Sequence, residues 1–139
     1  MSQNEIMDKS VPIKTTENKF FRQYLELLNP LLRLRGKELD VLAEILYHNH
    51  KLESIPDNHR WKLIFDYDTK AEIRNKLHLS DASLNNNLSA LRKKGIIRKN
   101  RIPDSFLIHP SNYCKLTFSF NITEENGIDN NSESSSEDS

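Results

Sequence analysis

The chain has 139 residues, 20 of them basic and 20 acidic, with a hydrophobic fraction of 36%; that length holds one modest domain and leaves little room for a substrate domain or a large cofactor fold. A single cysteine, Cys114, excludes an internal disulfide and any multi-cysteine zinc or iron–sulfur centre. The net charge of zero hides a split, because residues 19–115 hold 18 bases against 11 acids while residues 121–139 hold 6 acids and no base. A basic body with an acidic tail points to a polyanionic partner for which the tail could compete.

Residues 1–17 are polar and mixed in charge and read as a flexible lead-in to one domain over residues 18–122. The first helix is expected over residues 19–29, with Phe20, Tyr24, Leu27 and Leu28 on its apolar face and Pro30 ending it. A second is expected from Gly36 to about His48, with Leu39, Leu42, Ala43 and Leu46 on one side. Each carries a single apolar stripe that needs a cover. Residues 50–68 are too long for a bare loop, so a short helix is placed near residues 58–64, with Trp61 as a packing residue.

Thr69 followed by Glu72 has the spacing of a capping box, and Ile73 and Leu77 then share a face. His78, Leu79 and Ser80 interrupt the pattern. Ser80 or Asp81 can cap a further helix over residues 81–94, in which Leu84, Leu88 and Leu91 are core, and Gly95 stops it. Beyond Gly95 the spacing of Ile96, Ile97 and Ile102, then Phe106, Leu107 and Ile108, predicts two short strands across a turn near Pro103 and Asp104. Residues 115–122 alternate, with Leu116, Phe118, Phe120 and Ile122 on one face, as a third wing strand or an arm against the first helices. Residues 123–139 have almost nothing to bury and read as a disordered acidic tail.

Helices followed by a two-stranded ribbon give a mainly α fold with a small β wing, and in this order the chain resembles the winged helix-turn-helix superfamily. More narrowly, LRGKELDVLAEIL and FDYDTKAEIRNKLHLSDASLNNNLSALRKKGII look like small helix-turn-helix proteins of tailed bacteriophages, a resemblance running from Leu34 to about Ile108. It implies a duplex-DNA-binding protein, a transcriptional regulator or replication accessory of a phage.

The residues support the same partner. At about 100° per residue from Leu84, Asn86, Ser89 and Lys93 fall near 200°, 140° and 180°, opposite the leucines, and Asn85 near 100°. Asn, Ser and Lys suit a major groove: Asn pairs with adenine, Ser donates or accepts, and Lys reaches guanine or a phosphate. Ser83, Asn85, Asn86, Ser89 and Lys93 are therefore the candidate base contacts. Between Lys70 and Arg101 there are 9 bases and 2 acids, and Lys70, Arg74, Arg92, Lys94, Arg98, Lys99 and Arg101 are the candidate phosphate contacts. One half-site gives limited specificity, so a homodimer built from the first helix and the strand of residues 115–122 fits this reading.

Other chemistry finds no footing. His48 and His50 lie on different helix faces, Asp57 and His59 follow at no metal-ligand spacing, and neither a metal nor a cofactor is expected. Asp66 and Asp68 serve a turn before the capped helix as well as they would a metal. With 3 glycines, no phosphate loop and no HExxH, the chain is not expected to be an enzyme. No histidine or basic side chain can be placed as a partner beside the Cys114 thiol, which reads as a buried packing residue. No signal-peptide core or stretch of roughly 20 apolar residues occurs, so the expected place is the cytoplasm, a host's if the protein is viral, or a virion. The alternative function is a structural or adaptor protein, a virion component or polymerase-associated, binding a phage or host protein through the winged domain, with Phe118 and Phe120 at the contact.

Overall fold

Phe21 and Leu25 are a helical turn apart and fully buried, and they fix the face that the first helix turns inward. In a computed structural model, which describes residues 7–124, this helix is α1 (Glu17–Leu32), followed by α2 (Gly36–Lys51), α3 (Asp57–Ile64), α4 (Tyr67–Leu77) and α5 (Asp81–Lys93), with a 3₁₀ turn at Asp104–Phe106. Residues 1–6, and residues 125–139 of the expected acidic tail, lie outside the described residues. A single core runs from Phe21 to Ile102. None of the described helices is long and apolar enough to cross a membrane.

The first helix differs from its expectation in two ways. Its inward face is centred on Phe21, Tyr24 and Leu25, while Leu27 is 47% exposed. It also continues through Pro30 to Leu32, because a proline this close to the helix end removes only one backbone bond. Asn29 secures the exit instead: its amide donates to the Leu34 carbonyl at 3.1 Å and its side-chain oxygen accepts from the Leu34 N–H at 2.8 Å.

The second helix, α2, is the hub, since α1, α3, α4 and α5 all pack on it. Leu39, Leu42, Ala43 and Leu46 are buried, but so are Val41, Ile45 and the polar Glu38, Glu44, Asn49 and His50. A helix covered from several sides buries more than one stripe, and it runs past His48 to Lys51. Its two buried carboxylates are paired outward. Glu38 Oε1 lies 2.7 Å from Lys94 Nζ, beyond the end of α5, and Glu44 Oε2 lies 2.9 Å from Lys76 Nζ on α4.

The helix-turn-helix segment forms around its expected interruption. Asp66, rather than Thr69, caps α4, accepting from the Thr69 N–H at 2.8 Å, so Thr69 already lies in the first turn and the Thr69–Glu72 box is not used. His78 ends α4 in the left-handed region at φ 58°. Ser80 caps α5 by accepting from the Ser83 N–H at 3.1 Å, and Leu84, Leu88 and Leu91 turn inward. Gly95, at φ 77°, releases the chain at the other end, as a residue without Cβ does without strain.

The β wing is not there: the described residues contain no strand. Ile96, Ile97 and Ile102 are buried, but the chain reverses at Lys99–Asn100 rather than at Pro103–Asp104. Lys99 and Asn100 take φ 54° and 55°, and Arg98 and Arg101 exchange backbone hydrogen bonds of 2.9 and 3.2 Å across them. This is the two-residue turn that usually joins hairpin strands. Pairing stops after one exchange because Pro103 has no N–H to donate and the next three residues coil into the 3₁₀ turn. The expected strand of residues 115–122 is also absent. Leu116 touches the core, whereas Phe118, Phe120 and Ile122 are exposed. Cys114 is exposed too, because it sits in this unpaired segment and not in the core.

Candidate nucleic-acid interface

Burial of Leu84, Leu88 and Leu91 against α2 fixes the roll of α5, and the roll decides what the helix offers to solvent. Asn85, Asn86, Ser89, Arg92 and Lys93 are exposed and Ser83 half-buried, so the five candidate base contacts occupy one outward surface of one helix. Neighbouring Asn87 is engaged, donating to the Ser83 carbonyl at 2.8 Å.

The candidate phosphate contacts divide by what they already hold. Arg74 on α4 pairs with Asp81 at the start of α5, bracing the turn between the two helices. Arg101 pairs with Asp57 at the start of α3, and that guanidinium holds the exposed Asp57 carboxyl below its ordinary range. Lys94 is committed to Glu38 and also donates to the Arg33 carbonyl at 3.4 Å. Burial pushes the Glu38 carboxyl up, but the Lys94 ammonium and the Arg35 N–H, 3.0 Å away, outweigh it and hold the group ionised below its usual range. These three cations therefore hold elements together.

The others are unspent. Among the described residues, Lys70, Arg92, Lys93, Arg98 and Lys99 have no acidic group within 4.0 Å. Arg92 reaches the Asn100 side chain at 3.5 Å and Arg98 donates to the Gly95 carbonyl at 2.9 Å, so both keep their charge free while their stems are steered. The reversal at Lys99–Asn100 lifts Arg98 and Lys99 beyond the end of α5. A shallow groove beside it is lined by Lys62, Trp61 and Phe65 of the α3 side and by Lys99, Asn100 and Arg101. Sequence reasoning missed Lys62, which stands 37 positions before Lys99; only the packing of α3 brings it here. Trp61 is 4% exposed and packs with Phe65, so it is a wall of the core and presents no open ring for a base.

The surface thus carries short polar side chains on a helix and cations without an acidic partner among the described residues at its flank, and it holds no nucleophile–base pair among the residues placed there. Comparison with known protein families, curated proteins and solved structures found no match, so the functional reading stands on the residues of this chain.

Proposed function

We propose that the chain is a small duplex-DNA-binding protein that sets α5 in the major groove, a phage transcriptional regulator or replication accessory as the resemblance of its helix-turn-helix segment implies. The observation that carries this reading is the outward surface of α5: Asn85, Asn86, Ser89 and Lys93 lie together, flanked by Arg92, Arg98 and Lys99 with no acidic partner among the described residues. Asn86 and Ser89 would read base edges, and Arg92, Arg98 and Lys99 would hold phosphates. With the β wing absent, the Lys99–Asn100 turn takes the flanking backbone contact.

The test is fluorescence anisotropy on random duplex DNA at two salt concentrations, comparing the wild type with the triple variant Lys93→Glu, Arg98→Glu, Lys99→Glu. Wild-type binding should fall steeply with salt, and the variant should bind at least about 100-fold more weakly at low salt, since three neutralising contacts become repulsive. Absence of wild-type binding at low salt overturns the reading.

A protein-binding adaptor is the second reading, favoured by one observation. Phe118, Phe120 and Ile122 are 51%, 87% and 92% exposed in consecutive alternate positions. Under that reading the triple variant keeps its function and a Phe118→Ser, Phe120→Ser pair loses it.

A further inference from the structure

Two histidines far apart in the chain meet at the opposite end of α2 from the Lys94–Glu38 pair. His50 closes α2, buried to 8% exposure, and Glu53 follows one turn later, where its N–H donates to the His50 carbonyl at 3.3 Å. His109 arrives from the segment after the 3₁₀ turn, which is anchored where the Tyr24 hydroxyl donates to the Phe106 carbonyl at 3.3 Å. The Nδ1 atoms of His50 and His109 stand 3.3 Å apart, and Glu53 Oε1 is 3.4 Å from His109 Nδ1. One ligand atom from each of the three residues lies within 4.8 Å of the others.

Proton bookkeeping makes this cluster more than a hydrogen-bonded pair. Glu17, the first residue of α1, places Oε2 3.3 Å from His50 Nε2, which puts the His50 proton on that nitrogen and leaves a lone pair on Nδ1. His109 Nδ1 has one proton to offer and two acceptors within 3.4 Å, His50 Nδ1 and Glu53 Oε1. A cation in place of that proton serves all three atoms at once. Two of the three spacings, 3.3 and 3.4 Å, match the roughly 3.3–3.4 Å between ligands about 2.0–2.1 Å from a tetrahedral zinc ion. The third pair, His50 and Glu53, lies within 4.8 Å and would close on the ion by a turn of the exposed Glu53 side chain. A carboxylate on the far nitrogen of a ligating imidazole is also the usual outer support of such a ligand.

We propose that His50, His109 and Glu53 bind a single divalent transition-metal ion of the zinc type, with Glu17 orienting His50. Two imidazoles and one carboxylate select such an ion over magnesium or calcium. Glu53 and His109 face solvent, so the fourth position is open to water. The ion joins the start of α1, the end of α2 and the returning segment, on a surface separate from that of α5, and it would fasten residues 107–109 to the helices.

The test uses the full chain stripped with a chelator. Zn²⁺ titrated by calorimetry should bind at one per chain and raise the thermal midpoint, and a chelator should reverse the rise. Co²⁺ should give the intense visible band of a four-coordinate site. His109→Ala should abolish both signals while leaving the metal-free circular dichroism unchanged, since His109 is a surface residue, and Glu17→Gln should weaken binding about 10–100-fold. A His48→Ala, His59→Ala control should bind as the wild type. The proposal is overturned by no stoichiometric Zn²⁺ uptake, by the weak absorption of six-coordinate Co²⁺, or by binding that survives His109→Ala together with Glu53→Gln.

Discussion

Lys93 and Lys94 are adjacent in sequence and do unlike work. Lys93 points into solvent with no acidic partner among the described residues, whereas Lys94 neutralises Glu38, whose side chain is 5% exposed. Removing one member of a buried pair strands the other's charge, which is costlier than the pair itself is worth. Lys94→Met should therefore destabilise the fold by about 1–3 kcal/mol, the lower end reflecting the partial exposure of Lys94, and Lys93→Met by under about 0.5 kcal/mol. Urea denaturation checks both; equal midpoints for the two variants would show that Glu38 is satisfied by the Arg35 N–H alone. The proposed DNA binding should respond in the opposite order, with Lys93→Met the more damaging at matched folding. Residue type alone does not separate the two lysines, because the sequence lists two cations at the end of one helix and only the depth of Glu38 tells them apart.

Among elements, the one with the greatest consequence is the shortest. The turn at Lys99–Asn100 places two residues in the left-handed region, where Asn is tolerated and Lys costs roughly 1 kcal/mol. Lys99→Asn should relieve that strain and raise stability by about 0.5–1 kcal/mol, measured as an upward shift in the urea midpoint, while removing a cation from the proposed interface and reducing the salt slope of DNA binding by about one unit. A stability gain with an unchanged salt slope would take Lys99 out of the interface. This turn was not legible because KN is not one of the glycine-containing pairs that announce a two-residue hairpin. Legible features were those set by local periodicity and caps: the inward leucines of α5, its cap narrowed to Ser80 or Asp81, Gly95 as its stop and the short α3. Illegible features were those set by tertiary cover. Leu27 reads as apolar and is left out, Glu38 and Glu44 read as polar and are taken in, and the isoleucines after Gly95 read as strands although they are core residues on a turn. The cluster of His50, Glu53 and His109 is the extreme case, since His50 and His109 are 59 positions apart and no local spacing joins them.

At the scale of the whole molecule, the equal numbers of acids and bases say little about stability, which depends on where protons sit in the folded chain. Glu38 is held below its ordinary 4.5 by Lys94 and the Arg35 N–H against the opposing effect of burial. Folding therefore favours its ionised form, and the stability it contributes is complete above about pH 4.5 and lost as pH falls through the lower folded value. Tyr24 is displaced the other way: burial first, and Cys114 second, raise its phenol above 10.0 while its hydroxyl donates to Phe106. Its neutral form is favoured by folding, so its contribution is complete below about pH 10 and lost as pH rises through the higher folded value. Other groups add to the acid side: Asp57 is held low by Arg101, and burial holds the His48 imidazole below its ordinary 6.5, so folding loses stability as pH falls below that value. Each share is therefore isolated by comparison with its own variant. In urea midpoints taken across pH with chelator present, the gap between wild type and Glu38→Gln should be widest above pH 4.5 and close on acidification. The gap between wild type and Tyr24→Phe should change only on the alkaline side. If Glu38→Gln leaves the acid limb intact, the Lys94 pair does not govern it. The α5 surface would then rest on the leucine contacts with α2 and on the Arg74–Asp81 pair, and mild acid would leave the proposed DNA binding and stability uncoupled.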